Sequence, residues 1–109
     1  MTIDKFQKLI EKIYFTKDKK RGIEGTFMWF TEEVGELARA IRKSRSKTQE
    51  TKNRYRDELE EEFADCFAWL TTLASLSGIK LERAIKKYLK GCPKCHKLPC
   101  KCKEIYDSK

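Results

Sequence analysis

The sequence predicts an all-α protein: a compact bundle of about four helices, followed by a short cysteine-rich, metal-binding tail. Three observations carry this expectation. Apolar residues recur every three or four positions through most of the chain, which is the period of a helix face. No stretch alternates apolar and polar residues in the manner of a half-buried strand. Glycines and charged runs without apolar pattern interrupt the periodicity where helices would stop.

Taken in order, residues 2–15 predict a first helix, with Phe6, Leu9, Ile10 and Ile13 on one face and Thr2 or Asp4 as its cap. Residues 16–25, "TKDKKRGIEG", are charged, hold two glycines and read as a loop. A second helix is expected over 26–44, its stripe formed by Phe27, Phe30, Val34, Leu37, Ala38 and Ile41. Residues 45–53 have no apolar pattern and read as a solvated connection. A third helix is expected over 54–77, lined by Leu59, Phe63, Phe67, Leu70 and Ala74 and stopped by Gly78. The fourth spans 79–90, with Leu81, Ala84, Ile85 and Leu89 inward, and ends at Gly91. These helices make one domain, residues 1–91; residues 92–109 form the tail, frayed from 103 onward.

Hydrophobic and charged residues each make up 39% of the 109-residue chain, so much of the surface must be ionic. A core that small is expected to be completed by another copy, in a homodimer or higher homo-oligomer. The net charge of +8 is unevenly placed. Residues 86–109 carry eight lysines against Glu104 and Asp107, while residues 1–85 hold 17 basic and 15 acidic groups. The body is therefore a poor nucleic-acid surface. No apolar run is long enough to cross a bilayer, and the N-terminus lacks the apolar core of a signal peptide. A soluble, cytoplasmic protein is expected.

Two acidic stretches match each other. Laid over one another, "EEVGELARAI" (32–41) and "EEFADCFAWL" (61–70) place Glu32 on Glu61, Glu33 on Glu62 and Glu36 on Asp65. At about 100° per residue, Glu33 and Glu36 lie about 60° apart on adjacent turns, as do Glu62 and Asp65. If the two helices pack antiparallel along their stripes, the four carboxylates converge. Such a cluster must take up protons or bind cations. Oxygen ligands on rigid helices suit a hard divalent ion, Mg²⁺ or Mn²⁺, which commonly bridges carboxylates to substrate phosphates. A di-iron carboxylate bundle would need Glu-x-x-His pairs, and the lone histidine, His96, lies in the tail. For a single E-x-x-E, a solvated face would be the ordinary explanation; two copies in matched register favour a site.

This pair of motifs resembles the MazG-like family of nucleotide pyrophosphohydrolases, all-α enzymes with E-E-x-x-E on one helix and E-x-x-D on the next. The chain has "EEVGE" at 32–36 and "EFAD" at 62–65. The approach "GTFMWFTEEVGEL" (25–37) and the closing segment "GIKLERAIKKYLK" (78–90) are also similar to the family's, and the likeness spans roughly residues 3–90. The resemblance implies cleavage of nucleoside triphosphates between the α and β phosphates, giving a monophosphate and pyrophosphate, often of noncanonical nucleotides. It makes Glu33, Glu36, Glu62 and Asp65 the Mg²⁺ ligands, with Glu32 and Glu61 supporting them from behind. Glu33 or Glu36 then serves as the proton acceptor. Many members read R-A-N-x-K-F near the end, where this chain has "RAIKKY" (83–88). Lys87 is kept as a phosphate contact, but Ile85 replaces a polar substrate contact, which leaves the substrate's identity open. Trp29 and Trp69 lie off the main stripe on the acidic side and are candidates for stacking on a base. The same chemistry on phosphoribosyl-ATP is one alternative; a non-enzymatic zinc module that binds nucleic acid or only dimerises is another.

The tail reads "CPKCHKLPCKC" (92–102). Cys92, Cys95, Cys100 and Cys102 suit a closed structural Zn²⁺ site in a cytoplasmic protein. A disulfide pair, His96 in place of one thiol, or a metal shared between chains are the other possibilities. Cys66, on the apolar stripe, is expected in the core.

Overall fold

The computed structural model describes residues 1–45 and 48–103, and among them every regular element is helical. Helix α1 spans Ile3–Ser44, α2 Gln49–Leu76 and α3 the single turn Leu81–Ala84, which continues into a 3₁₀ turn over Ile85–Tyr88. The all-α class expected from periodicity is what forms. The expectation of fraying from residue 103 falls, from 104 on, outside the described residues.

The chain starts where the cap was expected: Thr2 accepts from the backbone N–H of Lys5 at 3.0 Å. Residues 16–25, expected as a loop, are helical instead. The charged residues that suggested a loop are good helix formers, and only one glycine breaks the path. Gly22 adopts φ 82° and ψ 175°, outside the helical region, so α1 is two helices joined at one residue. Gly25 is accepted because its missing Cβ leaves room for the aliphatic part of Arg21; a Cβ there would stand 2.9 Å from Arg21 Cγ. The helix expected over 54–77 begins earlier, at Gln49, and includes part of the predicted connection.

Helix α2 ends as Gly78 requires. With φ 71°, Gly78 lets its own N–H bond to Ser75 O at 3.1 Å and the Ile79 N–H bond to Ala74 O at 2.8 Å. That pairing satisfies carbonyls the helix end would otherwise orphan. The turn is held from the other side by the buried Gln7. Its amide donates to Ser75 Oγ at 3.1 Å and to Ile79 O at 2.8 Å, and its oxygen accepts from the Leu81 N–H at 2.9 Å. One side chain thus ties α1, the end of α2 and the start of α3. The predicted fourth helix over 79–90 is shorter than expected.

Both halves of α1 pack antiparallel to α2. The first half pairs Glu11 and Gln7 with Ser75, and Asp18 with Thr72. The second half pairs Trp29 with Trp69, and Lys43 with Glu58. The face that packs differs from the expected one. Thr26, Ala40, Thr71 and Thr72 are buried between the helices, while Phe27 and Phe63 are more than half exposed and Val34, Ile41, Phe67 and Leu70 about 40%. Small residues let the two backbones approach closely, so the helices meet on the flank that carries the acids, and the apolar stripe faces outward. Buried threonines are satisfied locally, as where Thr71 donates to Phe67 O at 2.7 Å. Among the described residues, Ile10 and Ala40 are the fully buried apolar residues.

Candidate active site

The antiparallel pairing decides which acids meet. The Trp29 and Trp69 rings stack 6.1 Å apart at 9°, and the Lys43–Glu58 ion pair closes at 3.7 Å further along. Glu33 and Glu62 fall between these two rungs, on facing helices. Glu33, Glu62 and Asp65 each offer a carboxylate oxygen, all within 4.8 Å of one another. The Oε2 atoms of Glu33 and Glu62 are buried and have no hydrogen-bond partner. Buried oxygens in that state are costly, and here they sit beside like charges.

The electrostatics follow. Burial, and after it the neighbouring Glu36, Asp65 and Glu62, hold the Glu33 carboxyl above the ordinary carboxylate range. Burial, then Glu36 and Asp65, do the same to Glu62. Among the described residues, no ion pair with a lysine, arginine or histidine relieves these three carboxylates. The pocket can hold protons or a cation, and its all-oxygen donor set fits a hard divalent ion.

Of the four predicted ligands, the fold brings three together. Glu36 lies outside the converging set, yet close enough to raise both glutamates. Glu32 and Glu61 are exposed and not part of it. Cys66, expected in the core, is half-buried next to Asp65. Burial, followed by the carboxylates of Glu33, Glu62, Asp65 and Glu36, pushes its thiol up, so it stays protonated.

A cleft of about 290 Å³ adjoins the acids. Asp65 and Trp69 line it from α2, and Tyr14, Lys17, Asp18 and Arg21 from α1. Arg21 lies over the Trp69 ring at 4.8 Å and donates to Asp18 at 3.1 Å and Thr26 Oγ1 at 3.2 Å. Asp18 is buried and also accepts from Thr72 at 3.2 Å. Trp69 thus lines this cleft, with Trp29 stacked on its ring. Lys17, Asp18 and Arg21 were missed, because residues 16–25 read as a loop. The signal was present as an Asp-x-x-Arg spacing, which pairs only on a helix.

Lys87 lies apart from this group. It is exposed on the 3₁₀ turn, its ammonium 5.2 Å from the Tyr88 ring centre. The four tail cysteines do converge, their Sγ atoms all within 4.8 Å of one another. Backbone N–H groups of Cys95 and Lys94 pull the Cys92 thiol down to about 6.

These features define a class: a helical protein with an acidic, cation-seeking pocket between two antiparallel helices, opening into a cleft with an aromatic wall and two basic side chains. The family model of the MazG nucleotide pyrophosphohydrolase domain matches residues 21–98. That is most of the chain, and the protein belongs to this family. The match takes in both acidic motifs, the region from Arg21 onward and the first two tail cysteines, and stops before Cys100 and Cys102. Membership makes the chain a hydrolase of the nucleotide pyrophosphohydrolase kind. No curated protein matches the chain. No helix among the described residues is long and apolar enough to cross a membrane.

Proposed function

We propose that this protein is a Mg²⁺-dependent nucleoside triphosphate pyrophosphohydrolase, which cleaves a (d)NTP to the monophosphate and pyrophosphate and serves to remove noncanonical nucleotides in the cytoplasm. The observation that carries the reading is the convergence of Glu33, Glu62 and Asp65 with two buried, unpartnered carboxylate oxygens. In this reading those three residues hold the metal, and Glu36 stands beside them. Bound Mg²⁺ (or Mn²⁺) would shield the phosphate charge and make water more acidic.

The chain's own residues supply the rest. Trp69, stacked on Trp29 and overlaid by Arg21, walls the side of the cleft where the base would sit. Lys17 and Arg21 line the cleft with Asp65 and attract the polyphosphate. Arg21 is held in place by Asp18 and Thr26, so little order is lost when it meets a phosphate. Glu36 lies beside the converging carboxylates but outside them. It is therefore the side chain free to accept the proton of the attacking water. Lys87 contributes only if the closing segment moves toward the cleft, and Glu32 and Glu61 act through the field rather than by contact.

The reading includes a homodimer. A domain with two fully buried apolar residues among those described does not hide enough surface to be stable alone. A second copy laid over Phe27, Val34, Ile41, Phe63 and Leu70 would complete the core.

A panel of nucleoside triphosphates and phosphoribosyl-ATP, each with and without Mg²⁺, tests the activity. Pyrophosphate release that needs Mg²⁺ is expected; release of single phosphates, or none at all, would overturn the assignment. Which member of the panel turns over fastest decides the substrate that the Ile85 substitution leaves open.

A further inference from the structure

The geometry points to a second metal site, unconnected with hydrolysis: a closed Zn²⁺ tetrathiolate formed by Cys92, Cys95, Cys100 and Cys102 within one chain. Tetrahedral zinc with Zn–S bonds of about 2.3 Å sets its sulfurs about 3.8 Å apart. The Cys92 and Cys102 sulfurs are 3.7 Å apart, and those of Cys95 and Cys100 3.9 Å. Disulfides would bring them to about 2.05 Å. Two independent edges thus have the length of a tetrahedron's, and all four sulfurs fall within 4.8 Å.

The backbone aims N–H donors at three of the four sulfurs. Lys94 N–H points at Cys92 Sγ at 3.4 Å, Lys101 N–H at Cys95 Sγ at 3.4 Å and Cys102 N–H at Cys100 Sγ at 3.3 Å. Hydrogen bonds of this kind favour the charged sulfur. The loop is wound to bring the donors there. Gly91 turns at φ 102°, in a place where a Cβ would stand 2.7 Å from Lys97 O. Cys92 N–H then bonds to Lys97 O at 3.0 Å, and His96 N–H to Cys92 O at 2.7 Å, with His96 itself at φ 60°. His96 serves this turn through its backbone, and four sulfurs already complete the site without its ring.

Zinc fits better than iron. Cys100 is exposed and Leu98 is 89% exposed, so no apolar shell shields the sulfurs. A redox-active ion would meet solvent there, whereas Zn²⁺ has no redox chemistry to protect. Four thiolates around one Zn²⁺ leave a net negative charge, and Lys94, Lys97, Lys101 and Lys103 lie between or next to the four ligands along the chain. Because the family match ends before Cys100, the completed site belongs to this chain's own extension.

Metal analysis of the full chain, purified under reducing conditions without chelator, tests this. One zinc per chain is expected, with none of the four tail cysteines open to a thiol reagent until a chelator is added and all four after. Cobalt returned to the stripped protein should give the intense visible bands of a tetrahedral tetrathiolate. Cys95→Ser and Cys100→Ser should each lose the zinc while far-UV circular dichroism keeps the helical signal. Iron in place of zinc, one zinc per two chains, or two disulfides without metal would each overturn the proposal.

Discussion

Glu33→Gln should make the metal-free protein more stable while removing its response to Mg²⁺. The substitution deletes a charge from a cluster whose oxygens lie within 4.8 Å. Two unit charges at that distance repel by about 3.5 kcal/mol at an effective dielectric of 20, and by less than about 1 kcal/mol in water. Asp65 is exposed and the cleft is open, so solvent screening brings the relief to about 1–2 kcal/mol. The amide can also donate to the unpartnered Glu62 Oε2, satisfying a buried oxygen that has no partner in the native chain. For a domain of this size the gain corresponds to a rise in Tm of roughly 5–10 °C. Thermal unfolding in chelator and in excess Mg²⁺, at one fixed protein concentration, is the assay. Native protein should gain stability with Mg²⁺, about 2.7 kcal/mol at a hundredfold excess over Kd. The variant should start higher and gain little. A variant less stable than the native chain in chelator would refute the view that these carboxylates repel one another in wait of a cation.

Further predictions concern the parts around that cluster. Asp65→Asn should lower pyrophosphate release by at least about a hundredfold, the loss typical of a removed electrostatic contact, with far-UV circular dichroism unchanged. Trp69→Ala should raise KM by roughly 5- to 100-fold if packing of the base against that ring contributes about 1–3 kcal/mol, read from steady-state kinetics on the preferred triphosphate. Asp18→Ala should cost about 2–4 kcal/mol in urea unfolding, because it strips a buried partner from both Arg21 and Thr72. Phe63→Asp should halve the mass measured by light scattering, since the charge would sit in the middle of the proposed dimer face.

The fold class and the acidic register were legible because both depend on local periodicity. Antiparallel packing of the matched stretches was expected to bring four carboxylates together, and three of them, Glu33, Glu62 and Asp65, do meet. What misled was the rule that the most apolar stripe packs inward. Here Phe27, Val34, Phe63 and Leu70 stay open, and the helices meet through Thr26, Glu33, Ala40 and Thr71. Periodicity marks the most apolar face of each helix, whereas the small residues decide where two helices can approach. The reading of 16–25 failed for a different reason. Lys, Asp and Arg look like a loop in composition, but one glycine at positive φ is enough to redirect a helix that otherwise continues. Arg21 was thereby hidden, although it lies near the acids in space. The cysteine spacing, by contrast, was read correctly as a cluster, since so short a segment with two prolines has few ways to keep its sulfurs apart.

The break at Gly22 has a consequence for Arg21. Its guanidinium reaches back to Asp18 in the first half of α1 and forward to Thr26 in the second, so it rivets the bend shut from the inside. A phosphate drawn to that same charge would tug on the rivet. Occupancy of the cleft and the angle between the two halves of α1 are mechanically linked through one side chain.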